Sequence, residues 1–241
     1  MSVLVTGAAG EIGSEIVRRF VASGERVIAQ DLAPALDGGL WPPARKSFGD
    51  LTDRSFLAEL ADVCDAEGVD RAVLAHGIDG AAPIRSLAER DLRRVVQVNA
   101  STVVQLTRSL VPVLAAREGV VVVVASQAGL RSEPNLAAYC AAKFALVGWA
   151  RRLAPALADQ GVRLRVACPG CTRTGLLESA FRRFAEAEGV TSAEALARRV
   201  RTIPVGRIAE PAESAAAVVY LAARAAARPT LLAVTGGEVL V

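Results

Sequence analysis

Short apolar runs rich in β-formers alternate along this chain with stretches of helical pattern, and that alternation limits the fold more than any other feature. Ser2–Thr6 (SVLVT), Arg26–Gln30, Arg71–His76, Val120–Ala125 (VVVVVA), Val162–Cys168 and Leu231–Thr235 read as strands. Glu11–Ser23, Arg54–Glu67, Leu87–Ala116, Ala138–Ala158 and Pro211–Ala226 read as helices. A strand, a helix and a further strand in succession imply crossover connections, so the strands lie parallel with helices on both faces. The expected fold is α/β, a doubly wound parallel sheet, in a single domain over residues 1–241. Apolar residues make up 52% of the chain and aromatics only 4%, so Ala, Val and Leu must fill the core, as in buried parallel sheets. Ala33–Asp50 reads as a Pro/Gly loop. Thr172–Pro204 reads as one or two mobile helices, with 174–205 as a substrate lid.

A net charge of +3 without a basic block argues against nucleic acid as a partner. Cys168 and Cys171 have the spacing of a CxxC pair but begin inside an apolar strand, so with one histidine no metal site is expected, and Cys140, Cys168 and Cys171 read as buried thiols. The longest apolar run, Val120–Ala125, is too short to span a bilayer, so no membrane is expected. The N-terminus has neither a charged nor an apolar leader segment, and a cytoplasmic, reducing location is expected.

Between the first strand and the first helix stands TGAAGEIG, Thr6–Gly13. In that setting a glycine loop cradles a dinucleotide. Gly7 makes the tight turn, Gly10 lets the backbone approach the pyrophosphate, and Gly13 lets the helix pack close to the sheet. The phosphates then meet free N–H groups at the helix N-terminus. Glu11 would repel them, so its side chain is expected to point to solvent, where a first-turn acid suits the helix dipole. Asp31 closes the second strand. A carboxylate there accepts the ribose hydroxyls of an adenosine and repels a 2′-phosphate, and Leu32 brings no compensating cation, so NAD is favoured over NADP.

Tyr139 and Lys143 stand at i and i+4 of a helix and share a face. Ser126 ends the valine strand, at the carboxyl edge where open α/β sheets bind ligands. A free phenol titrates near about 10, too high for a base at neutral pH. A nearby ammonium and a positive nicotinamide ring lower that value by stabilising phenolate. Tyr139 is then expected to act as general acid/base and Ser126 to hold the substrate oxygen.

Ser126, YCAAK (Tyr139–Lys143) and CPGCTRTG (Cys168–Gly175) resemble the Ser…Tyr-x-x-x-Lys…Pro-Gly-x-x-x-Thr series of the short-chain dehydrogenase/reductase family in its short form. The similarity continues through Asp31, GDLTD, VVQVNA and GRIAEPAE. The resemblance implies a Rossmann fold and an NAD-dependent oxidoreductase moving hydride between the cofactor and a small-molecule secondary alcohol or ketone. It implies Ser126, Tyr139, Lys143 and Asn99 as catalytic residues, Asn99 supporting a water relay to the lysine. Cofactor contacts are implied for Gly7, Gly10, Ile12, Gly13, Asp31, Gly77, Tyr139, Lys143, Pro169 and Gly170, for Thr174 beside the nicotinamide amide, and for Asp50 and Leu51 at the adenine edge. A homotetramer or homodimer on the long helices around 100–116 and 140–158 is implied as well.

The loop departs from the short form, which usually writes glycine at position 11, and its spacing is that of the longer, sugar-modifying branch. LAHG (Leu74–Gly77) replaces the family's Asn-Asn-Ala-Gly, with His76 expected to pack beside the cofactor. Two alternatives follow, a sugar-nucleotide epimerase or dehydratase and an NAD-binding redox sensor; sensors commonly lack the tyrosine–lysine pair present here. In the lid, Leu176, Leu177 and Phe181 lean apolar, and Arg182 and Arg183 are expected to be solvated.

Overall fold

The run of valines becomes an interior strand, buried on both faces. In the computed structural model, which describes residues 1–32, 44–225 and 228–240, seven parallel strands form one sheet: β1 (Ser2–Thr6), β2 (Arg26–Asp31), β3 (Arg45–Phe48), β4 (Arg71–Leu74), β5 (Val120–Val124), β6 (Arg163–Pro169) and β7 (Leu231–Val234). Their order is β3-β2-β1-β4-β5-β6-β7, so the chain winds outward from β1 in both directions. Val122 of β5 stands opposite Val73 of β4 and Arg165 of β6.

Successive valines point to opposite faces and serve two cores. Val121 and Val123 join Leu57, Leu60, Leu106, Leu110 and Leu146, which come from α2 (Arg54–Ala66), α4 (Thr102–Ala115) and α5 (Ala137–Ala158). Val120, Val122 and Val124 join Ile16, Phe20, Val218 and Leu221 of α1 (Glu11–Ala22) and α8 (Pro211–Ala222). Preceding α4, α3 (Glu89–Val96) runs into it through a π-turn at Gln97–Ser101. Beyond β6, α6 (Gly175–Glu188) and α7 (Ser192–Val200) pack on each other around Phe181, Ala185 and Ala195. Thr191 and Glu194 start α7 with a reciprocal capping box. The buried Arg165 donates to the carbonyls of Leu221, Ala223 and Ala225, closing the open end of α8.

The sheet corrects the sequence reading in four places. Arg45–Phe48, read as loop, is the edge strand β3; it pairs on one side only, and its exposed, polar residues hide the pattern. The rest of that loop, residues 33–43, lies outside the described residues. β4 ends at Leu74, because Ala75 and His76 already turn out of the sheet toward Thr6 and Thr102. The helix expected from Leu87 starts at Glu89 and carries the π-turn. α8 stops at Ala222, with Ala223 extended.

Candidate active site

The carboxyl ends of β1, β2, β4, β5 and β6 open on one cavity of about 800 Å³. Every cofactor and catalytic residue selected from the sequence lines it, except Asn99.

On the β1 side the glycine loop is built as expected. Gly7 has φ +65, and a Cβ there would meet the His76 backbone at 2.7 Å. A Cβ on Gly13 would fall on the Gly7 carbonyl oxygen. Gly10 differs, with φ −69: a Cβ there would make only an ordinary 3.4 Å contact with Gly7 O, so the space it leaves belongs to the cavity and not to packing. α1 begins with no side-chain cap, leaving its first N–H groups for a ligand. Glycines, open N–H groups and an acid at the end of β2 fit a dinucleotide. Asp31 Oδ2 accepts from Ala9 N at 2.9 Å and Oδ1 from Leu32 N at 2.8 Å, which orients its carboxylate at the cavity edge. Asp50 accepts from Thr52 N at 2.8 Å, beside the buried Leu51.

Glu11 meets its expectation in part. It is exposed, yet its Oε1 reaches across the cleft and accepts from Gly175 N at 2.7 Å, at the start of α6.

His76 sits behind the loop. The Thr102 hydroxyl donates to Val98 O at 2.7 Å, so it can accept from His76 Nε2–H at 2.8 Å. Nδ1 then accepts the Thr6 hydroxyl at 2.7 Å, a tautomer assigned from this network. Burial first, and the Lys143 charge second, push the imidazole down to about 3, so it stays neutral. It joins β1, β4 and α4, a use of histidine that its lone occurrence in the sequence did not signal.

On the β5 side, Ser126 Oγ accepts from Ala128 N at 3.1 Å, leaving its proton to donate into the cavity. The Lys143 side chain is buried, with Nζ 5.5 Å from the Tyr139 ring centroid and donating to Val124 O at 3.1 Å. The expected lowering of the phenol does not occur in the protein alone. Burial pushes Tyr139 up to about 12; the Ser126 hydroxyl draws it back, and Asp79 adds to the rise. Burial likewise brings Lys143 down to about 8. Asn99, fully buried, donates from Nδ2 to Ile78 O at 2.8 Å and accepts at Oδ1 from Ile78 N at 2.7 Å. Its amide shapes that loop, makes no bond to Lys143, and forbids a side chain at Gly77, whose Cβ would lie 2.8 Å from Oδ1.

On the β6 side, Gly170 donates to Val234 O at 2.9 Å, and Thr174 caps α6 by accepting from Leu177 N at 3.2 Å. Cys168 is buried in the core, and Cys171 lies half-buried on the cavity wall; burial holds both thiols at about 11, so they are protonated.

Several wall residues escaped the sequence reading. Arg183 stays half exposed, as expected, yet also pairs with Asp79 of the cavity wall at 2.9 Å. Glu133 accepts from Gln127 Nε2 at 2.8 Å and lies 3.6 Å from Arg199, which also grips Glu238. These partners are far apart in sequence, and nothing local marks them.

Fold and cavity together define a nucleotide-binding α/β oxidoreductase. Residues 1–184 match the family described as short chain dehydrogenase, and the chain belongs to that family. It is 34% identical to a D-threitol dehydrogenase of Mycolicibacterium smegmatis, over 93% of this chain and 86% of the relative. It is 30% identical to a galactitol 2-dehydrogenase of Agrobacterium fabrum, over 91% and 89%. An actinorhodin polyketide ketoreductase solved with NADPH superposes with a TM-score of 0.91 at 29% identity, covering 98% of this chain and 96% of that one. The protein is thus an oxidoreductase of alcohols or ketones. Among the described residues no helix is long and apolar enough to cross a membrane.

Proposed function

We propose that this enzyme uses NAD to oxidise a secondary alcohol, with Tyr139 as general acid/base. The observation that carries the reading is one cavity in which Tyr139, Ser126 and Lys143 stand at one end and Asp31 at the other. A bound nicotinamide supplies the hydride acceptor. Gly7, Gly10 and Gly13 hold the dinucleotide against the α1 N-terminus, and Thr174, Pro169 and Gly170 close its nicotinamide side. Asp31 takes the adenosine ribose hydroxyls. Its charge disfavours a 2′-phosphate, and neither Ala8, Ala9 nor Leu32 brings a cation to offset it. Ser126 donates to the substrate oxygen, and Tyr139, as the phenolate, accepts the hydroxyl proton. A phenol held at about 12 is too weak an acid for this alone, so Tyr139 gains base character only when further positive charge lies beside it. α6 and α7 serve as the lid. The two polyol dehydrogenases among the relatives favour a polyhydroxylated alcohol.

Calorimetric titration of NAD and NADP into wild type, Asp31→Ala and Tyr139→Phe tests this. Wild type is expected to prefer NAD, Asp31→Ala to relax toward NADP, and Tyr139→Phe to keep NAD while losing roughly 10²–10⁴ in kcat. A wild type that prefers NADP would overturn the Asp31 assignment. A Tyr139→Phe enzyme with undiminished turnover would overturn the catalytic one.

A further inference from the structure

Glu11 opens α1 and Gly175 opens α6, so the 2.7 Å bond between them sets a carboxylate between two helix N-termini. Each such end presents unpaired N–H groups and the positive end of a helix dipole, and the gap between two of them favours an anion. Glu11 already supplies one. Its partner is an amide, so no cation neutralises it through that contact. The same side chain lines the cavity beside Gly10 and Ile12, where the open N–H groups of α1 await phosphate.

On the reading of the cavity as a dinucleotide site, we propose that Glu11 is a built-in competitor of the cofactor's pyrophosphate. In the free protein its carboxylate satisfies the first amide of α6. A dinucleotide held by the glycine loop would bring two further negative charges beside this carboxylate, and Glu11 would then share the space or swing aside. The chain therefore holds its dinucleotide more loosely, and releases it sooner, than an uncharged residue at this position would allow.

Calorimetry with ADP-ribose and with adenosine on wild type, Glu11→Gln and Glu11→Ala tests the charge separately from the contact. Gln keeps an oxygen for Gly175 N and loses the charge; Ala loses both. Both variants are expected to bind ADP-ribose about tenfold tighter at low salt, with the gain shrinking near 0.3 M salt, as fits like charges near a surface. Adenosine, without phosphate, is expected to bind all three alike. An unchanged Gln variant with a weaker Ala variant would overturn the proposal and make Glu11 a strap that holds α6 down. No change in either would make the contact incidental. Failure of all three proteins to bind ADP-ribose would fell the dinucleotide reading and the proposal with it. If 2′-phospho-ADP-ribose is preferred to ADP-ribose but gains equally in both variants, the NAD assignment fails and the Glu11 proposal stands.

Discussion

Lys143 carries the heaviest electrostatic load in the site. Only 3% of it is exposed, and Val124 O is the acceptor its ammonium reaches. Burial lowers it from 10.5 to about 8. Below pH 8 folded and unfolded chains are both charged and the full penalty of burying the ammonium is present. Between pH 8 and 10.5 the unfolded chain keeps a proton that the folded one has released, so stability rises with pH across that window. The gap is worth roughly 3 kcal/mol. Lys143→Met, of similar length and uncharged, is accordingly expected to be more stable than wild type at pH 7 by about 1–3 kcal/mol, and inactive. Its advantage should fade toward pH 10, as urea unfolding at the two pH values will show; a variant less stable at both would refute the account. Tyr139, raised from 10 to about 12, acts oppositely only above pH 10, where the unfolded chain ionises first.

At the scale of elements, the strand–loop–helix unit from Ser2 to Ala22 separates two duties of glycine. Gly13 exists for packing, since any side chain there strikes the Gly7 carbonyl, whereas Gly10 has room within the protein. Gly13→Ala is expected to cost about 1–3 kcal/mol of stability through overpacking. Gly10→Ala should melt like wild type and bind NAD more weakly. Thermal unfolding beside calorimetry decides, and a Gly10→Ala protein with native affinity would remove Gly10 from the cofactor's path. Most of this layer was legible in the sequence. Period, turn residues and the Tyr139–Lys143 spacing are local signals, and six strands and the main helices fell within a few residues of their observed bounds. β3 was not legible, because Arg45, Lys46 and Ser47 sit on an edge strand that need not be apolar. Nor was the π-turn, which leaves no mark in a helical pattern. The Tyr139–Lys143 pair was readable because its two residues share one face of a single helix. The Glu11–Gly175, Arg183–Asp79 and Arg199–Glu238 contacts join different elements, and sequence carries no distance between those.

Across the whole molecule, polar ties fasten the α6–α7 pair to the sheet. Behind Ser126, Gln127 donates to Glu133, Glu133 lies beside Arg199 of α7, and Arg199 Nη2 donates to Glu238 at 2.8 Å near the C-terminus. The Glu238 side chain is 0% exposed, and Arg131 Nη2 lies 3.4 Å from its Oε1. Removing one partner of a buried pair leaves the other uncompensated. Glu238→Gln keeps most hydrogen-bond geometry and is expected to destabilise the protein by about 2 kcal/mol and to raise KM for substrate with kcat little changed. Differential scanning calorimetry and steady-state kinetics test both, and an unaltered melting temperature would show that the network is not structural.

The five valines of β5 have a consequence during synthesis. In the finished sheet both edges of Val120–Val124 are paired, one by β4 and the other by β6. The chain makes β4 first, but β6 begins only at Arg163, after the whole of α5. Through that interval an uncharged, proline-free run of strong β-formers presents an unpaired edge, the kind of segment that templates another copy of itself. The strand that organises both cores is therefore also an aggregation hazard until β6 arrives to pair it.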